Sequence, residues 1–345
     1  MSTNGVGLAG SSVDVGRTFL TRARRECDQF LREVVTSMPE PIATMAGYHF
    51  GWWDADRLSV YGGGGKYVRA ALAIAAAESC GNACGASAVA AAVELVHNFT
   101  LLHDDVIDRD VRRRGRPTVW SVWGVPSAIL LGDALHAAAV RILTERLDTS
   151  VALTCVGRLE EACVHLCVGQ FEDCAFEARS TVRVEDYLRM AGGKTAALME
   201  CACALGALAA GADSGIVSAF QRFGYELGLA FQCADDLIGI WGDPVVTGKP
   251  VGSDLILRKA TLPVVVALNS PTGAAIDLAR LYESKAVMTQ SDIVRAAELV
   301  EEAGGREATR RHADQRLEAA IAALPDDLKS TELVALAQTV VDRNR

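Results

Sequence analysis

The densest run of charge in the chain is LLHDDVIDRDVRRRGRPTVW, residues 101–120. Asp104, Asp105, Asp108 and Asp110 crowd together, and Arg112, Arg113, Arg114 and Arg116 follow at once. On a helix Asp104 and Asp108 lie one turn apart on one face, with Asp105 beside them. Like charges so placed repel, and the cluster costs stability unless a cation compensates. A solvated acidic face is the bland alternative. The apolar ELVHNFTLL just ahead argues against it, because those residues suit a buried helix. Carboxylates at the mouth of an apolar groove suit a hard divalent ion. Magnesium takes one or two carboxylates, keeps several waters and completes its shell with substrate phosphates. A second acidic pair, Asp235 and Asp236, follows another apolar helix in FQCADDLIGIWGD, with Asp243 two turns beyond Asp235. Two such clusters facing one cavity would hold several magnesium ions, and through them a diphosphate.

Isolated cations sit in unusual settings. GGGGKYVRAAL places Lys66 and Arg69 one turn apart behind four glycines, where backbone can approach an anion closely. A nucleotide-binding loop would need Ser or Thr after the lysine and a strand before it; Tyr67 stands there instead. AGGKTAALME puts Lys194 at the start of an apolar helix, and VTGKPVGSDLILRKATLP adds Lys249 and Lys259. One lysine alone is normally a solvated surface charge. Five cations flanked by glycine or threonine, beside two aspartate clusters, make an anion site the better reading.

The elements that must position these groups read as helices nearly throughout. Apolar residues recur three and four apart, and the nine prolines fall at breaks such as MPEP, GRPT and DPVVTGKP. LPVVVAL at 262–268 is β-branched enough for a strand, yet Pro263 also suits a first helical turn and no partner strand is evident. With 345 residues, half of them hydrophobic, the chain can bury a large core. We expect a small polar tail over residues 1–12, without the features of a signal peptide, and a single all-α domain of about a dozen helices over 13–345. The net charge of −9 argues against a nucleic-acid partner. No apolar stretch reaches membrane-spanning length uninterrupted; TAALMECACALGALAAG comes closest and is broken by Glu200. The ten cysteines lack paired metal-ligand spacing and read as reduced, packed thiols.

Taken together, DDVID with Arg113–Gly115 behind it, FQCADD with GKPVGSDL behind it, and GGK…R, GQFED and KTAAL in order resemble the trans-type isoprenyl diphosphate synthases, or polyprenyl synthetases. The resemblance runs from about residue 40 to about residue 270. It implies an all-helical bundle around a large central cavity, a cytoplasmic homodimer and a head-to-tail condensation. Isopentenyl diphosphate would add to an allylic diphosphate: dimethylallyl, geranyl or farnesyl. It implies that Asp104, Asp105 and Asp108 hold two magnesium ions and that Asp235, with Asp236, holds a third. Arg113, Lys194, Thr195, Gln232, Lys249 and Lys259 would meet the allylic diphosphate. Lys66, Arg69, His97 and Arg114 would form the metal-free isopentenyl diphosphate pocket.

Some positions depart from the family pattern. Gly239 stands where many relatives carry a third aspartate, so the third ion would rest on Asp235, water and Asp243. Ala70 replaces a frequent proline, and Arg258 and Ala260 replace a glycine and a lysine. Phe99 lies five residues before Asp104, about 7.5 Å back along a helix axis, and Thr100 is small. That pairing resembles the geranylgeranyl diphosphate synthases of archaeal type and implies a C20 product, with C15 next and longer chains third. A terpene cyclase on the same fold would not need the isopentenyl pocket. A non-catalytic partner subunit would usually lack aspartates in a motif.

Overall fold

The structure is a computed structural model and describes residues 12–60, 64–176, 179, 181–243, 251–284 and 286–342. Ser12 opens the first helix; the rest of the expected tail lies outside the described residues. The helices are α1 (Ser12–Thr36), α2 (Ile42–Phe50), α3 (Val68–Ser79), α4 (Ala86–Ile107), α5 (Val119–Trp123), α6 (Val125–Arg146), α7 (Thr149–Phe176), α8 (Val184–Ala191), α9 (Ala197–Ala209) and α10 (Ser214–Trp241). The chain continues with α11 (Ser253–Ile256), α12 (Leu262–Leu268), α13 (Gly273–Glu283), α14 (Gln290–Glu302), α15 (Gly305–Ala323) and α16 (Thr331–Val341). Several are single short turns, which is why they outnumber the expected dozen. LPVVVAL is the helix α12: Thr261 precedes it in extended backbone, Pro263 fits its first turn, and five of its residues are buried.

Helix α4 is the axis of the bundle. Its alanines 86, 88, 90, 91 and 92 and Val89, Val93, Leu95 and Val96 are all buried, so over its first two turns it is apolar nearly all round. Such a helix is stable only when enclosed, and α1, α3, α6 and α9 enclose it. Small side chains let the axes approach. A methyl on Gly206 of α9 would meet the Ala73 carbonyl of α3 at 2.2 Å. Helix α10 packs on α9 and α15, and Asp213 caps its start by accepting from the Gly215 and Ile216 amides. A smaller apolar cluster of Ile240, Leu255, Val264, Leu278 and Leu299 ties the end of α10 to α11–α14.

By length and composition α6 could cross a bilayer, which the sequence reading had not singled out; here one side of it packs on α4. All ten cysteines are free thiols. Between α4 and α5 the chain makes one small antiparallel hairpin, β1 (Arg112–Arg113) with β2 (Arg116–Pro117). Arg114 and Gly115 between them both have positive φ, 52° and 75°, as the tight primed hairpin turns require.

Candidate active site

Two adjoining cavities of about 830 and 860 Å³ open inside the bundle. Gly64, Gly65, Lys66, Val68, Lys194, Gln232 and Asp235 line both, so they form one continuous site. The first cavity is walled by α4, α7, α9 and α10 and carries Arg69, His97, Phe99, Thr100, Asp104, Arg113, Arg114 and Thr195. The second carries Asp236, Gly239, Asp254, Lys259 and Thr261.

Asp104 faces the cavity from the last turn of α4. Burial pushes its carboxyl up to about 6, with Asp108 adding to the rise and Lys194 and Arg113 opposing it. Asp108 caps α4 and is exposed. Asp105 differs from both. It is 1% exposed, and the Arg113 guanidinium donates to its Oδ1 at 2.6 Å. The β1–β2 turn folds Arg113 back onto the helix that precedes it.

The second acidic pair divides in the same way. Asp235 lines both cavities. Asp236 is 3% exposed. Its Oδ2 accepts from the Tyr187 hydroxyl at 2.5 Å and the Leu262 amide at 2.7 Å, and its Oδ1 from the Gln232 amide at 2.9 Å. Burial lifts its carboxyl to about 7 even so. Asp236 therefore spends its oxygens on α8, α12 and its own helix, which runs against the expectation that it offers them to a metal. Gln232 in turn accepts from the Thr195 hydroxyl at 2.6 Å.

Lys194 sits in a widened, π-helical turn, Gly192–Ala196, between α8 and α9. Such turns recur at functional sites, and glycine makes this one possible. A methyl on Gly169 of α7 would lie 2.2 Å from the Lys194 amide. The Lys194 ammonium is 2.5 Å from Asp173. Burial acts against its charge, but Asp173, Asp104 and Asp108 hold its pKa above the ordinary lysine value.

The remaining cations converge on the glycine run. The Arg114 guanidinium would be 2.9 Å from a methyl on Gly65, and Arg69 lies 3.4 Å from Nε2 of His97. Burial, then Arg69 and Arg114, hold the His97 pKa well below the usual histidine value, so its ring is neutral. Lys249 lies outside the described residues. Phe99 packs edge-on against His103 and tilted against His136, at 4.9 and 5.3 Å between ring centres. His136 is itself held by Glu160 at 2.9 Å. Cys163 completes that group within 4.8 Å, a proximity its sequence spacing did not foretell. The Thr100 hydroxyl donates to its own helix at the His97 carbonyl.

Sequence reasoning missed several residues of the site. Glu94, three residues before His97, lines the cavity 2% exposed and could have been found by helical spacing. Asp173 lay inside the GQFED run. Tyr187, and Arg17 and Arg24 of α1 at the rim of the second cavity, are brought in only by the fold.

Comparison with known proteins agrees with this geometry. The Polyprenyl synthetase family matches residues 57–300. A geranylgeranyl diphosphate synthase of Mycobacterium tuberculosis is 61% identical over 97% of this chain and 96% of its own length. The crystal structure of a polyprenyl synthetase from Streptomyces coelicolor superposes with a TM-score of 0.89 at 44% identity, over 94% of this chain and 99% of that one. A geranylgeranyl pyrophosphate synthase from Corynebacterium glutamicum, crystallised with isoprenyl diphosphate and magnesium, gives 0.79 at 27% identity, over 94% and 99%. With helices, cavity and aspartate motifs in this arrangement, the chain belongs to the polyprenyl synthetase family and is a trans-prenyltransferase.

Proposed function

We propose that this enzyme extends allylic diphosphates with isopentenyl diphosphate and releases mainly the C20 product, geranylgeranyl diphosphate. The supporting observation is a cavity lined by Asp104, Asp235 and a set of cations together with apolar side chains, Phe99 among them. The donor set fits magnesium, since Asp104 and Asp235 are hard oxygen donors on the cavity wall and Asp108, exposed at the end of α4, lies one turn beyond Asp104. Asp104 and Asp108 would hold two ions and Asp235 the third. Once bound, magnesium would neutralise charge on the departing diphosphate.

The chain's own residues do the rest. Arg113, Lys194, Thr195 and Lys259, with Lys249, would face the allylic diphosphate as its C1–O bond breaks and the diphosphate leaves with the electron pair. Asp105 fixes the direction of Arg113, and Asp236 fixes Gln232. Lys66, Arg69, His97 and Arg114 hold isopentenyl diphosphate so that its double bond attacks C1, and loss of a proton completes the step. Neutral His97 contributes hydrogen bonding among arginines without adding repulsion. Leu166, Leu198 and Phe231, all buried, keep water from the cation. A cyclase would have no use for the second set of cations.

Assembly as a homodimer is supported by exposed apolar side chains along α6 and α7: Ile129, Leu130, Leu153, Val164, Val168 and Phe171, the last 76% exposed. Monomers rarely leave such a row uncovered. The test is an assay with magnesium, isopentenyl diphosphate and the dimethylallyl, geranyl or farnesyl primer, with products separated by length. C20 is the expected end point, and Phe99→Ala should lengthen it by at least one isoprene unit. A C15 end point, or an unchanged product from a folded and active Phe99→Ala, refutes the C20 assignment; no product with any primer leaves the non-catalytic subunit.

A further inference from the structure

One group of metal-ligating side chains stands apart from the diphosphate site. His136 of α6 and Glu160 and Cys163 of α7 line neither of the two large cavities. Their ligand atoms are an imidazole nitrogen, a carboxylate oxygen and a thiol sulfur, and all three lie within 4.8 Å of one another. Nε2 of His136 is 2.9 and 3.1 Å from the two carboxylate oxygens of Glu160. Glu160 and Cys163 are three residues apart on one helix and so share a face, and α6 packs against that helix. Helical bundles present two metal ligands at this same spacing in their Glu-x-x-His pairs. Here cysteine stands in the second place, and the neighbouring helix brings the histidine.

The bland alternative is a His–Glu pair beside a packed thiol. Three observations favour a ligand set. The first is size. A tetrahedral zinc ion holds N, O and S ligand atoms about 3.3–3.6 Å from one another, so the widest gap in this group closes by about 1 Å. The second is orientation. The Phe99 ring lies against His136 at 5.3 Å between ring centres, and Nε2 already faces α7. The third is charge. Cys163 is 7% exposed, and burial, with Glu160 and Cys167 beside it, pushes its thiol up to about 12. The groups that act on this thiol are acidic, and a dication would reverse their effect. Thiolate and imidazole select zinc and its neighbours, whereas magnesium prefers oxygen ligands alone.

We propose that His136, Glu160 and Cys163 bind one divalent ion of the zinc class, with water completing the tetrahedron, and that this ion clamps α6 to α7. Binding releases the Cys163 thiol proton to solvent and replaces it with a bond to the metal. The site uses none of the residues assigned to magnesium or to either diphosphate, so it stands independently of the condensation reading.

Cobalt(II) is the probe, because it accepts zinc's tetrahedral ligands and its bond to a thiolate absorbs in the near ultraviolet. It is titrated into the reduced full-length protein with magnesium in excess. One equivalent should develop the thiolate-to-cobalt band, zinc should erase it, and the same zinc should raise the melting temperature. His136→Gln and Cys163→Ser, each checked for folding by far-UV circular dichroism, should weaken cobalt binding at least about tenfold, since even a residue that only supports a metal ligand is worth that much. The exposed thiols Cys84, Cys167 and Cys174 are the competing explanation for any band. A band unchanged in folded Cys163→Ser belongs to them and overturns the proposal. So does a band that folded His136→Gln leaves at full strength, or the absence of any band at one equivalent.

Discussion

The two aspartate pairs, Asp104–Asp105 and Asp235–Asp236, look alike in sequence and are used alike up to a point. In each, the first aspartate lines the cavity and the second is buried and hydrogen-bonded to the protein. What receives the second differs. Asp105 is held by a cation, Arg113, delivered by a surface hairpin. Asp236 is held by neutral donors from a tyrosine, a backbone amide and a glutamine in the bundle interior. On the proposed reading the first pair would couple metal binding to an arginine that also faces substrate. The second would couple it to the packing of α8, α10 and α12. Identical spacing sets identical geometry along the helix, but the neighbours decide whether a carboxylate works in chemistry or in architecture.

That contrast can be broken experimentally. The largest effect should come from a first aspartate. Asp104→Ala should cut kcat by about 10²–10³, while the apo protein melts no lower, because repulsion from Asp108 is relieved. Near-normal turnover would remove Asp104 from the metal site. Asp236→Asn should act mainly on stability. It turns an amide donor toward the donors that the carboxylate now accepts from, costing about 1–3 kcal/mol. Urea denaturation should register that loss, and a variant as stable as wild type would deny Asp236 its bracing role.

Smaller effects should separate the hairpin arginines. Arg113→Ala should raise KM for the allylic substrate, and Arg114→Ala that for isopentenyl diphosphate, each about tenfold, the equivalent of roughly 1.4 kcal/mol. Equal effects of both variants on both substrates would erase the division. The mildest test is pH. His97 is neutral when folded but titrates near 6.5 when unfolded. Below about pH 6.5 the unfolded chain binds a proton that the folded one does not, so stability falls as pH drops. The slope is at most about 1.4 kcal/mol per pH unit from this group. His97→Gln should flatten the curve of stability against pH between about 7 and 5.5, and an unaltered slope would place the imidazole in a wetter setting.

Much of this was legible in the sequence because the motifs are local. Asp104 with Asp108 and His97 with Asp104 are related by whole helical turns, so periodicity alone puts each pair on one face, whereas Lys66 lies before α3, beyond a left-handed Tyr67, and reaches the cavity from its loop. Phe99, five residues before Asp104, could be placed only by axial rise and by the resemblance, since five residues are not a whole number of turns. The burial of Asp105 and Asp236 was not legible, since Arg113 arrives through a hairpin and Tyr187 and Leu262 from distant helices. Nor could spacing foresee Cys163 joining His136 and Glu160, or Glu160 steadying a ring that touches Phe99. Each of these depends on which helices pack, and a one-dimensional pattern carries no such information.

The Arg112–Pro117 hairpin has a consequence for how this enzyme can vary in length. Loops at a protein surface are ordinarily where insertions and deletions are tolerated, and Arg112, Arg114 and Gly115 are exposed. Here the register is pinned by the Arg113–Arg116 pairing and by two successive left-handed residues. Alternate residues along a strand point to opposite faces. Adding or removing one residue would swing the arginine that now meets Asp105 away from it and bring a neighbour round in its place. The shortest loop of the site is thus a gauge fixed to a single residue, and variation in this chain should be sought in its other surface turns.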